Sequence, residues 1–224
     1  MKIALQFVAS SVFGLLFFGI GLFGPAGTFH YWQAWVFIAV FIACATIPSL
    51  FLAAKYPEAL RRRMNAGPTA ETRPLQRIII TATVLLVLAV MVVSALDHRF
   101  GWSTVPPILV WVGNVLVTVG LLATQVVIVQ NNYASANITV EAGQKLASTG
   151  LYGIVRHPMY SGVVIMMVGT PLALDSLWGL AATALALPVL AARIFDEEKM
   201  LTEELAGYAD YKTRVRSRLI PYVW

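Results

Sequence analysis

Six stretches of this chain contain no Asp, Glu, Lys or Arg: residues 3–23, 32–54, 78–96, 106–130, 160–174 and 177–192. A helix rises about 1.5 Å per residue and a bilayer's hydrocarbon core is about 30 Å thick, so about 20 apolar residues suffice to cross it. The first four stretches meet that length and are expected to span. The last two are shorter, are joined at Asp175-Ser176 and carry Pro171 and Pro188. They predict a short helical hairpin that crosses narrowly or stops short. With 58% hydrophobic and 12% charged residues, and a mean hydropathy of +0.75, a water-soluble globule is excluded. The expected fold is an all-α integral membrane protein of about six apolar helices, a single membrane domain over 1–224 in which 1–130 supplies the N-terminal helices and 131–224 the remainder.

If the chain crosses at all six stretches, every one of its sixteen basic residues except Arg99 falls on one face. The positive-inside bias makes that face cytoplasmic, with both termini there, in an inner, plasma or endoplasmic-reticulum-type membrane. The net charge of +5 then describes contact with anionic headgroups. Membrane lipids are expected partners; nucleic acid and an obligate protein partner are not. The first stretch is too long for a signal-peptide core, and Gly24-Pro25-Ala26-Gly27 leads straight into the next, so it is expected to stay attached. The lone Cys44 excludes a disulfide within the chain.

Between the stretches lie three polar segments. Pro57-Glu58-Ala59-Leu60-Arg61-Arg62-Arg63-Met64 reads as a short amphipathic helix opening on proline, ended by a break at Ala66-Gly67-Pro68-Thr69. Residues 131–158 read as a structured, extended loop leading into His157-Pro158. Residues 194–213 carry Ile194, Met200, Leu201, Leu205 and Tyr208 at near-helical spacing, which predicts an amphipathic helix continuing from the membrane. On it Arg193 and Glu197 share a face and could form an ordinary salt bridge.

Arg156 and His157 beside a bilayer are costly unless used. No G-x-S-x-G motif or cysteine partner accompanies His157, which disfavours a hydrolytic triad. His30 and His98 fall on the opposite side of the membrane, so no metal centre is expected. No ionisable group lies within the six stretches, unlike an ion-coupled transporter. A site at the interface remains, reached by a polar cofactor from water and a greasy substrate from lipid.

Gly150-Leu151-Tyr152, Val155-Arg156-His157-Pro158-Met159-Tyr160-Ser161-Gly162, Arg193 with Glu197-Glu198, Gly207-Tyr208, Tyr211 and Arg218-Leu219-Ile220-Pro221 together resemble the isoprenylcysteine carboxyl methyltransferase family. The resemblance covers about the last 95 residues; the N-terminal half shares only hydropathy and the Pro-Glu-x-Leu-x-x-Arg segment. It implies that residues 131–224 form a cofactor-binding and catalytic region performing S-adenosylmethionine-dependent methyl transfer at the cytoplasmic face. The acceptor it implies is lipophilic: an isoprenylcysteine-like carboxylate, or another membrane-soluble acid, thiol or amine. Carried over by position, Tyr152, Arg156, His157, Tyr160 and Glu197 would bind the cofactor. Arg193 and Glu198 would be catalytic, the arginine toward the acceptor carboxylate and Glu198 either orienting Arg193 or balancing the sulfonium. Alternatives are a sterol-reductase-like NADPH oxidoreductase, which resembles the same region, and a non-catalytic scaffold. Against these roles, His157 and Tyr160 could snorkel to the headgroups, and Tyr208 and Tyr211 could pack the tail helix. Glu198, expected outside the packed helices, should tolerate Glu198→Gln with lost turnover and little lost folded protein.

Overall fold

A computed structural model describes all residues except Met1, Asn65, Ala66, Pro68, Thr72 and Ala142, with backbone only for residues 2–11. The break predicted at 66–69 thus lies partly outside the described residues, as does the side chain of Lys2. Regular structure among the described residues is helical: α1 (Lys2–Ala26), α2 (Trp32–Lys55), α3 (Pro57–Met64), α4 (Pro74–Phe100), α5 (Pro107–Gln130), α6 (Pro158–Ala173), α7 (Leu177–Glu204) and α8 (Tyr208–Arg214), with a 3-10 turn at Gly150–Gly153. Four helices, α3 to α6, open on proline. Its fixed φ suits the first helical turn, where the missing N–H has no partner to lose.

Among the described residues, four helices are long and apolar enough to cross a bilayer: α2, α4, α5 and α7, of 24, 27, 24 and 28 residues. The chain is an integral membrane protein. Ile20, Ile47, Ile78, Leu85, Ile108 and Leu185 are exposed, a surface a bilayer covers and water would not tolerate. In the hairpin α6 has 16 residues, and α7, which joins the apolar arm to the amphipathic helix expected to continue from it, has 28. The apolar count ends at Ala192, whereas the helix continues through Arg193–Glu204 because no helix breaker intervenes. The helix expected over 194–213 is interrupted instead at Gly207, whose φ of 80° is a left-handed conformation that only glycine adopts without cost. Residues 131–149 are irregular, without a strand among the described residues.

The chain divides into two compact units. The first comprises residues 1–47, 85–121 and 165–185. Its core gathers Phe18, Leu22, Tyr31, Phe37, Met91, Val117 and Leu174. Here α5 and α6 meet backbone to backbone at Gly113 and Gly169: a Cβ on Gly113 would lie 2.3 Å from the Ala173 nitrogen, and one on Gly169 2.7 Å from the Gly113 oxygen. Small residues allow this approach where apolar burial gives no drive between helices in lipid. Loops of this unit are tied by two carboxylates. Asp97 accepts from Ser103 and Ser176, and Asp175 from Gln33 and the Val105 N–H.

The second unit comprises residues 48–84, 122–164 and 186–224. Leu205, Tyr208 and Tyr211 are buried together, with Val140, Leu146 and Leu201 packed on them. The Arg156-His157 segment is bound edge to edge to the tail, its N–H groups donating to the Ser217 and Arg218 carbonyls at 2.9 Å. Ser161 adds a bond to the Leu219 carbonyl at 2.7 Å. Every residue of the candidate site belongs to this unit.

Candidate active site

A cleft in the second unit is walled by the loop 131–147, the 3-10 turn, the start of α6, and the inner face of α7 and α8. Tyr152, Arg156, His157, Tyr160 and Glu197 all line it, so the five residues singled out as cofactor-binding stand together. The order arises because α6 starts where the tail pins Arg156-His157, and one helical turn then carries Tyr160 toward α7. Arg193 and Glu198 do not line the cleft. Each stands one contact behind it.

Glu198 is 4% exposed and accepts from three groups: Arg156 Nε at 2.6 Å, Arg218 Nε at 3.0 Å and His157 Nε2 at 3.3 Å. Arg156 spends its Nη1 on the Val215 and Arg216 carbonyls at 2.8 and 2.7 Å. This is a buried clamp joining α7, the Arg156-His157 segment and the tail. It overturns the expectation that Glu198→Gln leaves the folded protein intact, because the carboxylate lies inside the packing that makes the cleft wall. His157, 5% exposed and stacked on Tyr160 with ring centroids 5.6 Å apart, is no snorkelling residue.

Arg193 and Glu197 form no direct pair. Tyr160 stands between them, its hydroxyl donating to Glu197 Oε2 at 2.7 Å and accepting from Arg193 Nε at 2.9 Å. Arg193 also donates to Gln76 Oε1 at 3.0 Å, the Ala136 carbonyl at 2.9 Å and Glu71 Oε1 at 3.4 Å. Four of the five N–H donors of a guanidinium are thus held by the chain itself. Gln76 in turn donates to Asp196, which accepts from Arg73 at 2.9 Å.

Glu71 and Gln76, 2% and 0% exposed, were not legible as site residues. In the sequence they look like polar residues flanking an apolar stretch. Two further groups were missed: Asn137 Oδ1 and the Tyr208 hydroxyl are buried with no partner among the described residues, and both residues line the cleft. Tyr211 packs as expected but also donates to the Tyr152 carbonyl at 2.6 Å, while Asn131 donates to the Tyr152 hydroxyl at 3.1 Å. Burial raises the pKa of Tyr152 and Tyr208, and pushes that of Tyr211 up to about 12. All three phenols therefore stay protonated at neutral pH and act as hydrogen-bonding groups.

Residues 108–207 match the phospholipid methyltransferase family. The match runs from α5 to the glycine before α8 and takes in every cleft residue except Tyr208 and Tyr211. Nickel-cobalt-cadmium resistance protein NccN of Alcaligenes xylosoxydans xylosoxydans is 25% identical over 130 residues, 58% of this chain and 59% of its own. Cobalt-zinc-cadmium resistance protein CzcN of Cupriavidus metallidurans is 28% identical over 105 residues, 46% of this chain and 49% of its own. Protein-S-isoprenylcysteine O-methyltransferase B of Arabidopsis thaliana is 36% identical over 89 residues, 37% of this chain and 43% of its own. The chain spans about half the length of these curated relatives.

Proposed function

We propose that this chain, whose residues 108–207 match the phospholipid methyltransferase family, transfers a methyl group from S-adenosylmethionine to a lipophilic acceptor at the cytoplasmic membrane face. The acceptor is a carboxylate of the isoprenylcysteine kind. The cleft supports this reading above all: it combines aromatic faces, one carboxylate and two buried polar atoms without partners.

These residues fit the cofactor. Tyr133, Tyr152 and Tyr160 offer flat faces to a nucleobase, while Asn137 Oδ1 and the Tyr208 hydroxyl await hydrogen bonds that no protein group makes. Glu197 is the only carboxylate among the described lining residues and supplies the negative charge that a sulfonium ligand requires. When bound, S-adenosylmethionine supplies a methyl group on positively charged sulfur, an electrophile for a carboxylate oxygen.

The chain's own contribution is then positional. A carboxylate acceptor is ionised at neutral pH, so no strong base is required, and rate comes from alignment. Tyr160, fixed between Glu197 and Arg193, orients Glu197 at the cleft edge. Arg193 acts through Tyr160, and Glu198 through Arg156 and His157, which makes both positioning residues. The name of the Arabidopsis relative favours the carboxyl acceptor over a thiol or amine.

The test uses S-adenosylmethionine carrying an isotopically labelled methyl and a farnesylated cysteine analogue, with the protein in lipid vesicles. The expected product is a labelled methyl ester released by mild base. Base-stable label in thiol or amine acceptors alone would keep the transferase and overturn the carboxyl acceptor; no label in any acceptor, from folded protein, would overturn both.

A further inference from the structure

Of the three arginines in the last turn of α3, Arg62 and Arg63 have opposite circumstances. Arg62 is paired, donating to both oxygens of Glu141 at 2.6 and 2.9 Å. Arg63 is half-buried and stands behind the cleft lining, where its Nη1 meets the Ser135 carbonyl at 3.1 Å and the Met159 sulfur at 3.4 Å, both residues of the cleft wall. No ion pair forms between Arg63 and any carboxylate among the described residues. The acidic groups of this unit's interior are already held: Glu71 by Arg193, Asp196 by Arg73, Glu197 by Tyr160, and Glu198 by Arg156 and Arg218. Burial lowers the pKa of Arg63, and the nearby positive charge of Arg193 adds to that effect.

A guanidinium partly withdrawn from water without a counter-ion is destabilised, yet it remains charged, because arginine does not deprotonate in proteins. Met159 offers a soft contact but no negative charge. The balance is restored when an anion arrives from outside, and the planar fork of arginine matches a carboxylate in two parallel hydrogen bonds.

We infer that Arg63 binds the carboxylate of a ligand seated in the cleft beside Met159 and Tyr160. The identity of that ligand rests on the methyltransferase reading, in which both the cofactor and the acceptor carry a carboxylate. Arg193, with most of its donors committed within the chain, leaves this role to Arg63.

The experiment compares wild type, Arg63→Gln and Arg63→Lys as full-length protein in detergent, with thermal unfolding as a check of folding. Calorimetry gives Kd for S-adenosylhomocysteine and for 5′-methylthioadenosine, the same nucleoside without the carboxylate; turnover gives KM for a farnesylated cysteine acceptor. The expected result is a tenfold or larger loss in one of two patterns, about 1.4 kcal/mol, with the lysine variant in between. Weaker S-adenosylhomocysteine with unchanged 5′-methylthioadenosine assigns the cofactor's carboxylate to Arg63. A raised KM with both Kd values unchanged assigns the acceptor's. Folded Arg63→Gln with all three constants within twofold of wild type overturns the inference while leaving the methyltransferase intact. Wild type that binds neither nucleoside and turns over no acceptor overturns the methyltransferase reading, and the ligand carboxylate with it. An Arg63→Met variant adds a readout independent of any ligand: removing a half-buried charge with no carboxylate partner among the described residues should raise the unfolding midpoint of the free protein, and a lowered midpoint would make Arg63 a structural residue.

Discussion

Glu198→Gln is expected to destabilise the protein by about 3–5 kcal/mol, the cost of breaking a buried ion cluster by removing one partner. The carboxylate is shared by Arg156, His157 and Arg218 at 2.6 to 3.3 Å, and it is 4% exposed. An amide of the same shape has one acceptor oxygen instead of two, and its NH2 faces the donors of an arginine. Arg156 then keeps its bonds to the Val215 and Arg216 carbonyls but carries an uncompensated charge. Because the Arg156-His157 segment, which the tail pins, forms one wall of the cleft, cofactor binding falls with stability. Thermal unfolding in detergent measures the first effect and titration with S-adenosylhomocysteine the second. An unchanged midpoint with abolished turnover would contradict the clamp and return Glu198 to a direct part in the chemistry.

Arg193→Gln is expected to be as damaging, for a different reason. Among the described residues, Glu71, 2% exposed, loses its only cation, and Tyr160 keeps Glu197 as its sole hydroxyl partner. Stability should fall by about 3–5 kcal/mol and turnover by about a hundredfold, the scale on which a displaced positioning group acts. The double variant Glu71→Gln/Arg193→Gln separates the two effects. Removing the orphaned carboxylate should recover part of the unfolding midpoint, but turnover should stay low because Tyr160 remains unanchored. Recovery of turnover along with stability would reduce Arg193 to a counter-ion for Glu71.

Much of this architecture was legible because it depends on neighbours in sequence. Charge-free stretches and prolines at helix starts gave the apolar helices, and Pro57–Met64 formed as its pattern predicts. Tyr152, His157, Tyr160 and Glu197 were found as motif residues, and the cleft gathers them. The last apolar stretch runs on into the amphipathic helix expected to continue from it, and α7 is unbroken from Leu177 to Glu204. Gly207 was visible as a glycine, but apolar periodicity ran across it and hid the break.

What stayed hidden depends on partners far along the chain. Glu71 and Gln76 meet Arg193 across 122 and 117 residues, and Arg63 meets Met159 across 96. Nothing local separates Arg63 from Arg62, since adjacent helical positions differ only in which side they face. The same holds for Tyr208, whose role as packing or as lining is decided by whether its buried hydroxyl finds a protein partner.

On the proposed function, the cleft is a site for the nucleoside of a sulfonium cofactor. Calorimetric titration of the purified protein with S-adenosylhomocysteine, with NADPH in parallel, tests it most directly. Saturable binding of S-adenosylhomocysteine alone, weakened by Asn137→Ala, is the predicted result; saturable binding of NADPH alone would contradict it and move the chain to the reductases.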